Sequence, residues 1–94
     1  MRINGVIWLR HIVDKLASKH QVMPAEVEEA LTNKPKLRFM EKGERKGEDV
    51  YVALGKSDEG RYLSVLFIYK LSKEGLILSA SDMARKERRR YAKK

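Results

Sequence analysis

Pro35 separates two stretches of this 94-residue chain whose apolar residues recur at different intervals. Before it, Leu9, Ile12, Val13 and Leu16 form one stripe of a 3.6-residue repeat, with Arg10, His11, Asp14, Lys15 and Ser18 on the other side. A second helix begins at Pro24, which suits a first helical position because its missing N–H is unpaired there anyway. Glu26, Glu28 and Glu29 favour the positive end of that helix dipole, and Met23, Val27, Ala30 and Leu31 supply its buried stripe. Lys34 precedes Pro35 and is kept from helical angles, so the helix ends near Asn33. Ile3, Val6 and Ile7 read either as a short strand or as an apolar lead-in.

From Lys36 the interval falls to two. Leu37 and Phe39 alternate with Lys36 and Arg38 as in an edge strand. Glu41 to Asp49, with two glycines and seven charges, reads as an exposed hairpin loop, and Val50, Val52 and Leu54 form the next strand. Gly55 to Gly60 reads as a turn. Arg61 to Tyr69 is apolar or aromatic on both faces except at Ser64, as a central strand should be. Lys73-Glu74-Gly75 turns into Leu76 to Ser79, and Ser81 or Asp82 caps a final helix over Met83 to Lys94. The expected fold is α+β in a single domain, 1–94: two N-terminal helices, a four-stranded antiparallel meander and a C-terminal basic helix. The first two helices should cover one sheet face, with the last beside them or along an edge.

Composition narrows the possible roles. A hydrophobic fraction of 43% is too high for a disordered chain, and no apolar run approaches the roughly 18–20 residues of a membrane helix. The opening residues lack the basic, apolar, small-residue order of a secretory signal. Cysteine is absent, which excludes disulfides, thiolate metal centres and thiol nucleophiles. The expected setting is the cytoplasm, without membrane contact.

The net charge of +8 is unevenly spread. Residues 21–33 carry −3, whereas residues 82–94 carry +5. Such an excess draws polyanions. Arg85, Arg88 and Arg89 share one side of the final helix, and Lys86, Arg90, Lys93 and Lys94 cover another. Cations favour any helix C-terminus, so a merely solvated end is one reading. Four arginines, whose planar forks match phosphate in two-point fashion, support the other.

Three enzyme signatures are missing. Gly55-Lys56-Ser57 ends like a phosphate-binding loop, but Val50 replaces the first glycine and strands flank the segment. His11 and His20 lie nine residues apart with no carboxylate at a ligand-like offset, so no metal site is expected. No G-x-S-x-G elbow occurs. Metal-free RNA cleavage needs a base for the 2′-hydroxyl, an acid for the leaving oxygen and cations around the phosphorane. His20, Tyr69, Glu87 and Tyr91 are able to move protons, and Lys19, Arg61, Arg85 and Arg88 to hold charge. Composition does not choose among them.

Several motifs in order carry a resemblance. They are Ile12-x6-Lys19-His20-x-Val22-x-Pro24-x-Glu26-Val27-Glu28-Glu29-x-Leu31, then Leu54-Gly55-x4-Gly60-Arg61-x-Leu63, then Leu78-Ser79-Ala80 and Glu87-Arg88-x2-Tyr91. The order resembles the BrnT-type toxins, whose pattern runs as a "KHGVS-EE" segment, an "LG-GR-L" hairpin and a C-terminal "ISAR-A…ER..Y". The likeness spans Trp8 to Tyr91. It implies a RelE-like microbial ribonuclease fold and a metal-independent endoribonuclease that cleaves cellular RNA, inhibits translation and needs no cofactor. It also implies a cognate antitoxin with a ribbon-helix-helix DNA-binding domain, through which alone the pair touches operator DNA. The matching residues are Lys19, His20, Arg61, Glu87, Arg88 and Tyr91. His20, Arg61, Glu87, Arg88 and Tyr91 are the catalytic candidates, and Lys19, Arg85 and Arg89 the RNA-binding ones. Glu87 and Arg88 also fit a structural ion pair. The chain departs from the pattern at Ser81, where the family has arginine, and at Gln21, where it has glycine.

Two other classes compete. One is a non-catalytic RNA-binding module, since antiparallel strands with a basic helix also grip RNA by shape and phosphate. The other is an inactive toxin relic that acts only through its antitoxin, for which Ser81 speaks. The nuclease reading carries one geometric requirement: the final helix and the Gly60-Arg61 corner must converge on one cleft.

Overall fold

The computed structural model describes residues 1–93. Along the chain run β1 (Gly5–Ile7), α1 (Arg10–Lys15), a π-helical turn (Leu16–His20) that continues α1, and α2 (Pro24–Thr32). They are followed by β2 (Lys36–Glu41), β3 (Asp49–Lys56), β4 (Tyr62–Tyr69), β5 (Glu74–Asp82) and α3 (Arg85–Ala92). The class is α+β. The sheet, however, has five strands in the order β1-β5-β4-β3-β2 and is mixed, not a four-stranded antiparallel meander. Strands β2 to β5 pair antiparallel as expected, and β1 adds in parallel to β5, with Val6 opposite Gly75. Three residues are too few to show a period, which is why β1 stayed ambiguous in the sequence.

The sheet has two apolar faces and therefore needs two covers. On one face Leu63, Val65 and Phe67 of β4 are fully buried with Leu16, Val27 and Ala30 of the helical segments and Val22 in the link between them. On the other, Val52, Leu54 and Met83 pack with Tyr62, Leu66 and Tyr91. Helix α3 thus lies across the sheet from α1 and α2, neither beside them nor along an edge. It contributes no buried residue of its own.

Local details refine the element ends. The backbone of β3 runs through Gly55 and Lys56, which the sequence placed in a turn. A Cβ at Gly55 would collide with the Ala30 carbonyl, so the missing side chain lets α2 approach the sheet. The turn itself is tightened by Gly60, whose φ of 93° suits glycine, and by the Gly60 N–H donating to the Ser57 carbonyl. Ser81 and Asp82 belong to β5 and do not cap α3. Instead Glu87 reaches back to accept the Ala84 N–H at 2.8 Å, as Glu26 accepts the Met23 N–H at 3.0 Å. Each supplies one half of a capping box. Helix α3 starts at Arg85, two residues later than expected, and Lys94 lies outside the described residues.

Candidate nucleic-acid interface

Arg61 leads into β4 on the same side as Leu63, Val65 and Phe67, and its side chain therefore points toward the first two helices. Its Nε donates to Asp82 Oδ1 at 2.7 Å, and Nη2 donates to Asp82 Oδ2 at 3.2 Å and to the His20 carbonyl at 3.0 Å. Nη1 donates to the Gln21 carbonyl at 2.7 Å and to the Glu26 carboxylate at 3.2 Å. A guanidinium has five N–H groups, and all five are engaged. The two carbonyls are among those that a helix end leaves without intrahelical partners. Arg61 thus closes the end of the π-helical turn, where Gln21 turns left-handed at φ 50°, and ties it to α2 and β5. The Arg61 hydrogen bond holds the Asp82 carboxyl below the ordinary carboxylate range, against a smaller opposing effect of partial burial. The same bond raises the pKa of Arg61.

Helix α3 stands on the opposite face. Arg88 places its guanidinium 4.2 Å from the centre of the Tyr62 ring, and Tyr91 meets that ring edge-on at 5.8 Å between centroids. The attraction between the cation and the ring face holds the Arg88 guanidinium against Tyr62. Glu87 Oε2 accepts from the Ser64 hydroxyl at 2.9 Å. Lys36 on β2 donates from Nζ to the Arg90 carbonyl at 3.2 Å, so a cation sits at the negative end of the helix. Arg85, Arg88, Arg89 and Arg90 are all exposed.

Between α3 and the sheet lie two adjoining hollows. One, of about 280 Å³, is floored by Ser64, Ser79 and Ser81 with Glu87 on its wall. The other, of about 480 Å³, has Val52 and Leu54 with Lys36 and Lys93 around them. Arg38, Val52 and Arg90 line both. One carboxylate faces four cations across the pair, so the groove suits a polyanion.

The candidates from the sequence therefore divide. Glu87, Arg88 and Tyr91 come together with Arg85 and Arg89 on α3. Lys19, His20 and Arg61 gather across the sheet, at the end of the first helix. The expected shared cleft between Arg61 and the final helix does not form. The reason is strand parity, which groups position 61 with the residues buried under α1 and α2. Glu87 and Arg88 do not pair with each other; both ion pairs among the described residues are made by Arg61. Tyr69, another candidate proton carrier, donates to the Arg2 carbonyl at 2.7 Å. Arg38 was missed. Its signal was the alternation of β2, which puts it on the face opposite Leu37, together with its register opposite Val52. No group of three or more potential metal-ligating side chains converges among the described residues. No family model and no curated protein matches the chain.

Proposed function

We propose that this chain is the toxin component of a type II toxin–antitoxin system, a metal-independent endoribonuclease that inhibits translation by cleaving cellular RNA. Its catalytic groove is the one between α3 and the sheet. The observation that carries the reading is the meeting of Glu87 with Arg38 and Arg90 around one hollow. A base and cations on either side of it are what in-line attack by a 2′-hydroxyl requires. In this scheme Glu87 takes the 2′-hydroxyl proton and the 2′-oxygen bonds to phosphorus. The bond to the 5′-oxygen breaks, and that oxygen takes a proton from water. The products are a 2′,3′-cyclic phosphate and a 5′-hydroxyl, and the arginines balance charge on the phosphorane. The motif order quoted above and the α+β sheet with a helix on each face are compatible with a RelE-like fold. The antitoxin with its ribbon-helix-helix domain, and operator contact through it alone, belong to the same proposal, as does a cytoplasmic setting. The form of the nuclease reading that needs Arg61 and the final helix in one cleft fails, and the proposal rests instead on the α3 groove alone, with His20 and Arg61 supporting the end of α1.

Glu87 also caps α3, so its test must separate the two roles. Glutamine retains an acceptor oxygen at this position and serves a capping box equally well. Glu87→Gln is expected to fold like the parent and to cut RNA in EDTA about 100-fold more slowly or worse. Cleavage at the parental rate would remove Glu87 from the mechanism.

A second reading, RNA binding without cleavage, is favoured by one observation: both carboxylate oxygens of Glu87 already accept hydrogen bonds. Salt-dependent binding by the parent chain with no cut product in EDTA would select it.

A further inference from the structure

We infer that the groove reads RNA as an unpaired dinucleotide step, with Arg38 and Arg90 gripping the phosphate that joins the two nucleotides. The inference rests on the RNA-directed reading above but not on cleavage. It is drawn from how the two hollows meet. Their floors differ: one presents the hydroxyls of Ser64, Ser79 and Ser81 beside Met40 and Leu66, whereas the other presents the apolar side chains of Val52 and Leu54 and no hydroxyl. A nucleotide has the same division, since its ribose and base edges hydrogen-bond and its base faces are apolar. At about 280 Å³ and 480 Å³ the hollows lie near or within the roughly 300–1,000 Å³ common for small-molecule sites, so each accepts about one nucleoside.

The two arginines stand on the shared rim and on no other part of the groove in common, apart from Val52 beneath them. They come from different elements, β2 and α3, and so flank the junction from two sides. That is where the linking phosphate falls when each hollow holds one nucleoside. Lys36 and Lys93 beside the apolar hollow then face the next phosphate along the strand. A paired strand cannot use this arrangement, because its bases are stacked inside the duplex and cannot turn into an apolar hollow. The groove therefore takes loops, ends and single strands, the forms of RNA whose bases can be splayed out.

The decisive measurement is fluorescence anisotropy with a labelled short single-stranded RNA, the same RNA annealed to its complement, and the same RNA with one abasic position. The parent chain should bind the single strand about tenfold more tightly than the duplex, and an abasic position in the middle should weaken binding several-fold. Arg38→Ala should lower single-strand affinity about tenfold, whereas Arg45→Ala, in the exposed β2–β3 loop, should change it little. Unchanged thermal unfolding of both variants checks that only the surface has changed. Equal affinity for duplex and single strand, or equal effects of the two substitutions, overturns the dinucleotide assignment while leaving RNA binding in place. Failure of the parent to bind any of the three RNAs overturns the RNA-directed reading itself. Preference for an acidic peptide over every RNA at equal ionic strength does the same.

Discussion

At the scale of single residues, Arg61 shows how one guanidinium can fix a corner of a fold. It neutralises Asp82 and Glu26 and supplies the donors that the end of the first helix lacks. Arg61→Ala is expected to lower stability by about 2 kcal/mol, because charge-assisted bonds at a site still partly open to water are lost and two carbonyls are left unpaired. The companion effect is on pH. Asp82 has a lowered pKa in the folded chain, so its contribution is complete above the ordinary carboxylate range and fades as pH falls through the folded value. Urea midpoints followed from about pH 6 down to pH 2 should therefore fall less steeply in Asp82→Asn than in the parent. Parallel curves would assign the acid sensitivity elsewhere. The sequence offered the means to place Arg61 correctly: positions 61, 63, 65 and 67 share a parity, and the last three are plainly core residues. A glycine–arginine pair at a hairpin suggests an exposed cation only when parity is left out of account.

At the scale of elements, the strands that carried a long signal were legible and the short ones were not. Strand β4, apolar on both faces, was recognisable as central, and Pro24 and Pro35 bracketed α2 closely. Helix α3 was legible as cationic but not as to its face, because its own sequence is almost wholly polar. Its place follows from what the sheet needs, namely a cover over Val52, Leu54 and Leu66. The groove depends on that cover, since its walls belong to β2 and α3 and its floor to β3, β4 and β5; no contiguous segment could reveal it. The close approach at Gly55 offers a test of the opposite cover. Gly55→Ala should cost about 1–3 kcal/mol, because backbone atoms at Ala30 have to move aside. A chemical-denaturation midpoint equal to that of the parent would mean that α2 is free to shift outward.

At the scale of the whole molecule, charge and shape act together. The Cα radius of gyration is 12.5 Å, and the principal extents are 33, 32 and 20 Å, a slab with one acidic-capped helical face and one cationic one. The net charge of +8 speeds encounter with any polyanion, but the groove decides what stays bound. Binding of single-stranded RNA should weaken linearly on a logarithmic salt scale, by about 0.7 per phosphate neutralised, and Lys93→Ala should reduce that slope by about one such contact. A slope near zero would mean that the cations of α3 do not touch phosphate.

The parallel pairing of β1 with β5 has a consequence for how the chain is made. Gly5, Val6 and Ile7 find their partners at Glu74, Gly75 and Leu76, almost seventy positions later. Until a ribosome has added those residues to the polypeptide, the first strand has nothing to dock on, and the outermost rung of the sheet stays unlaid. Assembly of this edge thus waits for residues 74–76, so a polypeptide halted before the seventies should remain open to protease around Gly5–Ile7.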